Sequence, residues 1–265
     1  MTVPPVFSFT NALVRTPGRS VVNGLRDDPR AVADYEPILK EHTAYIAALR
    51  AAGVAVEVLP PLEAFPDSVF VEDPALVFGD GAILLRPGAP SRLAERDAMR
   101  GELATRFPRV LELNDGEHAD GGDVLVTPRT VFIGLSQRTS ATGAAALAIH
   151  LQTLGRASRI VDTPPGVLHF KTAVSLLDEN TLLATPAMAA SGLFAGFDII
   201  ETPPGEDAAA NALRVNDTVF AGAHFPRTLD TLANAGHRLT PLAVHEIAKL
   251  DAGLSCMSLR WHTGA

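Results

Sequence analysis

The 265-residue chain is 47% hydrophobic and 20% charged, a balance that excludes a disordered protein and leaves ample material for a buried core. Its net charge of −8 argues against a nucleic-acid partner and mildly favours a cationic ligand. One cysteine, Cys256, rules out intramolecular disulfides and all-cysteine metal sites; MTVPPVFSFTNALVR lacks a signal-peptide pattern, and no apolar run nears the roughly 20 residues of a membrane span, so a cytoplasmic chain is expected.

The predicted elements repeat along the chain. FTNALVRT (9–16) reads as a strand, 28–53 as the longest helix, and VAVEVLP (54–60) as its following strand. Four hairpins come next, each an apolar run, a turn-rich break and a second apolar run: PALVFGDGAILL (74–85), DVLVTPRTVFIGL (123–135), AVSLLDENTLLAT (173–185) and NALRVNDTVFAG (211–222). After each comes a helix-like stretch and a strand: 91–107 then RVLEL, 140–155 then SRIVD, 187–196 then FDIIET, and 226–236 then HRLTPLAV. The 187–196 stretch is the shortest of these, and Gly155, Gly196 and Gly236 sit where helix C-caps are expected.

CMSLRW (256–261) is a lone last strand, and FTNALVRT a lone first one. Together they complete a fifth copy split across the termini. Pairing them removes the exposed edges of a ring. The expected architecture is therefore an α/β ring of five ββαβ units around a pseudo-five-fold axis, one domain over 1–265; an open two-layer α/β sheet is the alternative.

Polar residues recur just before, or at, the first strand of each hairpin: Glu72 and Asp73, then Asp120, then His169, then Asp207 and Asn211, and finally Cys256. In a ring such positions converge on the axis. Alone, each has an ordinary explanation: a lone Cys is usually an inert small hydrophobe, and an acid before a strand a turn residue. Together they supply a nucleophile, a proton-handling partner and an orienting group. The surplus of carboxylates selects the substrate, since a guanidinium fork would partner them where an acyl oxyanion would not. Arg92 and Arg138, each just past a second hairpin strand, would meet a carboxylate at the rim. An acidic centre with a basic rim describes an amino acid with a cationic side chain.

FPDSVFVEDPALV, LLRPGAPSR, ADGGDVLV, GLSQRT, LHFKT and KLDAGLSCMS together resemble the dimethylarginine dimethylaminohydrolases of the guanidine-modifying pentein superfamily, from about residue 9 to residue 261. The resemblance implies a five-bladed α/β propeller and hydrolysis of Nω-methylated arginine to citrulline and an alkylamine. It implies Cys256 as nucleophile, His169 as general acid and base, and Asp120 as the group orienting His169. Asp73, with Glu72 beside it, would bind the guanidinium; Arg92 and Arg138 the α-carboxylate; Asp67 and the Leu25 carbonyl the α-amino group; and the Leu250 backbone would add a contact. Asp207 and Asn211 receive no substrate role, and His118 is placed near the site mouth. No metal or organic cofactor is implied, and a metal on Cys256 and His169 would inhibit by occupying the thiolate.

The Asp in ADGGD departs from family members that carry Glu, which changes reach and not role. A related pentein hydrolase acting on free arginine stays open, because the core chemistry would be shared. So does a homodimer, although no apolar stripe demands one. A non-catalytic ring protein, such as a translation anti-association factor, has no need of the Cys–His–acid set.

Overall fold

The computed structural model describes residues 4–263. In chain order the elements are β1 (Asn11–Arg15), α1 (Tyr35–Ala51), β2 (Ala55–Leu59), β3 (Ala75–Phe78), β4 (Gly81–Leu84), α2 (Glu95–Arg106), β5 (Val110–Glu112), β6 (Val124–Val126) and β7 (Val131–Leu135). Then follow α3 (Ala141–Thr153), β8 (Ser158–Asp162), β9 (Val174–Leu176), β10 (Thr181–Ala184), α4 (Pro186–Ala189), β11 (Asp198–Glu201), β12 (Leu213–Val215), β13 (Thr218–Gly222), α5 (Pro226–Asn234), β14 (Leu239–Leu242), α6 (His245–Ala248) and β15 (Leu259–Trp261).

These strands form five three-stranded sheets of one design. In each, the middle strand pairs antiparallel with its hairpin partner and parallel with the strand that returns after the helix, as in β3–β4–β5 and β6–β7–β8. The split copy obeys the same rule: β1 pairs antiparallel with β15, Asn11 opposite Trp261, and parallel with β2. First strands lie against one another, β15 on β3, β6 on β9 and β9 on β12. At these three junctions the sheets meet through their first strands.

Local chemistry explains the bounds. Helix α1 starts later than its pattern predicts, because Asp34 accepts from Glu36 N and caps it; the residues before, with Pro29, stay outside. Ser140 caps α3 in the same way. Gly155 and Gly236 adopt positive φ just past α3 and α5, as helix-ending glycines do. Gly196 is also at positive φ, but α4 is a single turn that ends at Ala189 well before it. Helix α6, which the pattern did not suggest, abuts α1: Glu41 accepts from the backbone N–H groups of Glu246 and Ile247 at its start.

The core is divided among the sheet junctions. One cluster packs Ile38, Tyr45 and Leu49 of α1 on Val14, Phe220 and Met257. Another packs Leu147 and Leu151 of α3 on Ile83 and Ile133. Each such fully buried side chain contributes about 1.5–3 kcal/mol. The Tyr45 hydroxyl meets Ser258 Oγ at 2.5 Å, which ties α1 to the strand that follows Cys256.

Candidate active site

The polar positions before the hairpins come together at tight turns. Asp120 and His169 each occupy the N-cap of a one-turn 3₁₀ helix, over Gly121–Asp123 and Phe170–Thr172. The turns are stitched to one another through the backbone: Glu72 N donates to Cys256 O, and Gly121 N to Asp73 O. Leu25, Asp67, Asp73, Arg92, Asp120, Arg138, His169, Leu250 and Cys256 thereby line one cavity of about 100 Å3. His118 does not line it; its Nδ1 lies 3.4 Å from Pro87 O.

His169 Nε2 lies 3.1 Å from Asp120 Oδ2. The other Asp120 oxygen accepts from Gly88 N at 2.6 Å, and its own N–H donates to Thr139 Oγ1. Gly88 has no room for a side chain: a Cβ there would sit 2.3 Å from Arg138 O. Gly122 is equally constrained, its added Cβ falling 2.9 Å from His169 Cγ. The RPGAP and GGD motifs are thus close backbone approaches that aim Asp120, Arg138 and His169.

Asp73 is buried and held by an ion pair from Arg92 Nη1 to its Oδ2. Its Oδ1 is buried with no hydrogen-bond partner among the described residues. Arg92 is buried as well. Its Nε and Nη2 donate to Glu95, and Nη2 also to the carbonyls of Asp67 and Phe70, which leaves one Nη1 hydrogen for a ligand. Arg138 is half-buried, and its guanidinium has no hydrogen bond or ion pair among the described residues. Asp67 Oδ1 accepts from Leu25 N at 2.9 Å.

Glu72 stands apart from the expected set. Its carboxylate turns to the opposite side of Cys256, where Ser255 Oγ, Lys171 Nζ and Arg260 Nη2 bind it. It lines a different, larger cavity. Its link to the nucleophile is through charge rather than through the cavity.

The electrostatics follow from burial and these neighbours. Burial, then the charges of Glu72 and Asp73, push the Cys256 thiol up to about 12. Burial opposes charge on His169, but the hydrogen bond to Asp120 and the charges of Asp73, Asp123 and Asp120 outweigh it and raise the imidazole to about 9. Burial likewise opposes ionisation of Asp73, and Arg92, His169 and Lys171 overcome it, holding that carboxyl below its ordinary range. Burial raises Asp67. The resting pair at neutral pH is a thiol and an imidazolium. Asp73 and Asp120 each place a carboxylate oxygen within 4.8 Å of a His169 ring nitrogen, so the imidazolium is the cation these two acids surround.

Three contributors were not singled out from the sequence. Asp123, fully buried, accepts from Ser136 Oγ, Thr139 Oγ1 and Phe170 N, joining the loops that carry Arg138 and His169. Its place in GGD was the available signal. Glu95 lies three residues after Arg92, the spacing of a helical ion pair. Asp251 accepts from Asp27 N at 2.6 Å and joins the loops of Leu25 and Leu250, a long-range contact with no local signature. Asn211 holds the Cys256 turn, accepting from Ser255 N.

Comparison with known proteins places this geometry. The arginine deiminase family matches residues 58–220, which defines the class. A dimethylarginine dimethylaminohydrolase of Pseudomonas aeruginosa is 39% identical over 254 residues, 96% of this chain and all of that one. The chain belongs to the dimethylarginine dimethylaminohydrolase family. A crystal structure of a cysteine-to-serine variant from P. aeruginosa, complexed with citrulline, superposes with a TM-score of 0.92 at 38% identity, covering 96% of this chain and all of that chain. A histidine-to-glycine variant of a dimethylarginine dimethylaminohydrolase, as an adduct with S-methyl-L-thiocitrulline, also superposes at 0.92 with 38% identity, covering 95% and 99% of the two chains.

Proposed function

We propose that the chain hydrolyses Nω-methylated arginine to L-citrulline and dimethylamine or methylamine, through a covalent thiouronium on Cys256. One observation carries the reading: Asp73 Oδ1, a buried acceptor without a partner among the described residues, in the cavity that holds the thiol and the imidazolium. Leaving such a group unpaired costs about 1–3 kcal/mol. A guanidinium N–H removes that cost and brings its carbon to the nucleophile. The names of the family members and the citrulline complex support the same reaction class.

The bound cation offsets the carboxylates that keep Cys256 protonated, and the thiol releases its proton to solvent to become the thiolate. Sulfur adds to the guanidinium carbon. The tetrahedral carbon has lost planarity, so the His169 imidazolium protonates the dimethylamino nitrogen and the C–N bond breaks. Dimethylamine leaves a planar cationic thiouronium. Neutral His169 then takes a proton from water, hydroxide adds to the same carbon, and the C–S bond breaks as the added hydroxyl gives up its proton to solvent, leaving citrulline and thiolate. Asp120 keeps His169 in place throughout. Arg138, with the remaining Arg92 hydrogen, holds the α-carboxylate; Asp67, the Leu25 carbonyl and the Leu250 backbone hold the α-amino end.

In this reading the five sheets are the blades of a five-bladed α/β propeller closed by the β1–β15 pair, a single domain spanning 1–265. A thiol nucleophile suits a reducing compartment, and the cytoplasm is the proposed location; none of the described helices is long and apolar enough to cross a membrane. No cofactor takes part.

The test is a substrate panel of asymmetric dimethylarginine, monomethylarginine and arginine, with citrulline and amine measured together. The expected result is equimolar citrulline and alkylamine, with kcat/KM for a methylated substrate at least about tenfold above that for arginine. Preference for arginine, with ammonia as the amine, would make the chain an arginine hydrolase. No citrulline from any of the three would refute the reading.

A further inference from the structure

Consecutive residues at the centre of the fold face opposite ways. Asp73 and Cys256 line the small cavity, whereas their neighbours Glu72 and Ser255 line a second one of about 660 Å3 on the other side. That volume falls in the range of roughly 300–1,000 Å3 typical of small-molecule sites.

The inner end of this cavity is polar, buried and net positive. Lys171 Nζ and Arg260 Nη2 share Glu72 Oε1 at 2.6 and 3.1 Å, so two cations face one carboxylate, with side-chain exposures of 13% and 11%. Two buried donors there have no partner among the described residues, Arg260 Nε and Ser175 Oγ. The walls are apolar, formed by Val126, Leu176, Leu213 and Trp261 from successive first strands. Farther out, Arg156 stacks over Phe78 and Arg214 over Phe7, and Arg129 is exposed at the edge; Asp80 is the one further lining carboxylate among the described residues. This is a cationic enclave in a chain of net charge −8.

We propose that this cavity is a second binding site, for an anionic amphiphile. One carboxylate sits against Lys171 and Arg260, taking the free Arg260 Nε and Ser175 Oγ hydrogens, and an unbranched apolar chain runs along the walls. The carboxylate neutralises the excess positive charge at the inner end, and the chain removes apolar wall from water.

Isothermal titration of the full chain with decanoate, and with decanol as the uncharged control, tests this. Decanoate is expected to bind once per chain, at least about tenfold tighter than decanol. Val126→Trp and Leu213→Trp, which fill the cavity from two walls, are each expected to weaken decanoate binding about tenfold or more, with kcat/KM unchanged. Arg138→Ala, which alters only the small cavity, is expected to leave decanoate binding intact. The proposal is overturned if decanoate does not bind, if decanol binds equally well, if both tryptophan variants bind decanoate normally, or if Arg138→Ala abolishes binding.

Discussion

Cys256→Ser is expected to lower kcat/KM for methylated arginine by at least about 10,000-fold while leaving substrate affinity within a few-fold. The substitution keeps size and burial, so the cavity persists. It changes the attacking atom to a hydroxyl, which the same desolvation and the same Glu72 and Asp73 charges hold un-ionised. Even the thiol is raised to about 12 without ligand, so the enzyme relies on the substrate cation to release a thiolate. Steady-state kinetics together with equilibrium titration of the variant separate these effects. A variant with more than about a tenth of the activity would remove Cys256 from the chemistry.

His169→Gly is expected to abolish turnover of asymmetric dimethylarginine, because it removes both the proton donor to the leaving amine and the base that activates water, and to change how pH acts on the protein. In the wild type the reactive thiolate–imidazolium pair has one proton fewer than the resting thiol–imidazolium pair. kcat/KM should therefore climb about tenfold per pH unit through the neutral range and bend near 9, where the imidazole titrates. Stability should move the other way. The folded chain keeps the His169 proton up to about 9, whereas an unfolded imidazole releases it near 6.5. The resulting stabilisation is complete below about 6.5 and is lost as pH rises through 9. Cys256 adds to the alkaline loss, because an unfolded thiol ionises near 9 and the folded one near 12. Thermal melts at pH 6.5 and 9.5 should show a larger fall in Tm for the wild type than for His169→Gly. Equal falls would mean that His169 carries no raised proton affinity in the fold.

The hairpin rhythm and the lone strands at the two termini made the five sheets legible, because both depend on local alternation and on the need to pair an edge. The same repeat brought Asp73, Asp120, His169 and Cys256 to one cavity, since equivalent turns meet at the centre. What local pattern cannot encode is which way consecutive side chains point. Glu72 and Asp73 read as a pair, yet the turn sends Glu72 to Lys171 and Arg260. Arg92 read as a free rim cation like Arg138, yet Glu95 and Asp73 bury it in ion pairs. Breaking such a buried set by removing one partner costs about 3–5 kcal/mol, so its first role is to hold Asp73. Asp251 escaped notice because its partner, the backbone of Asp27, is remote in sequence.

The most direct measurement is intact-protein and peptide mass spectrometry of acid-quenched reactions, the wild type with asymmetric dimethylarginine and His169→Gly with S-methyl-L-thiocitrulline, whose thiolate leaving group needs no proton from His169. The predicted result is a mass on the peptide containing Cys256 equal to the substrate less its leaving group, dimethylamine or methanethiol, transient in the wild type and accumulating in the variant, which lacks the base that activates water. Absence of that adduct from both proteins at every quench time, or its presence on a different residue, would contradict covalent catalysis by Cys256.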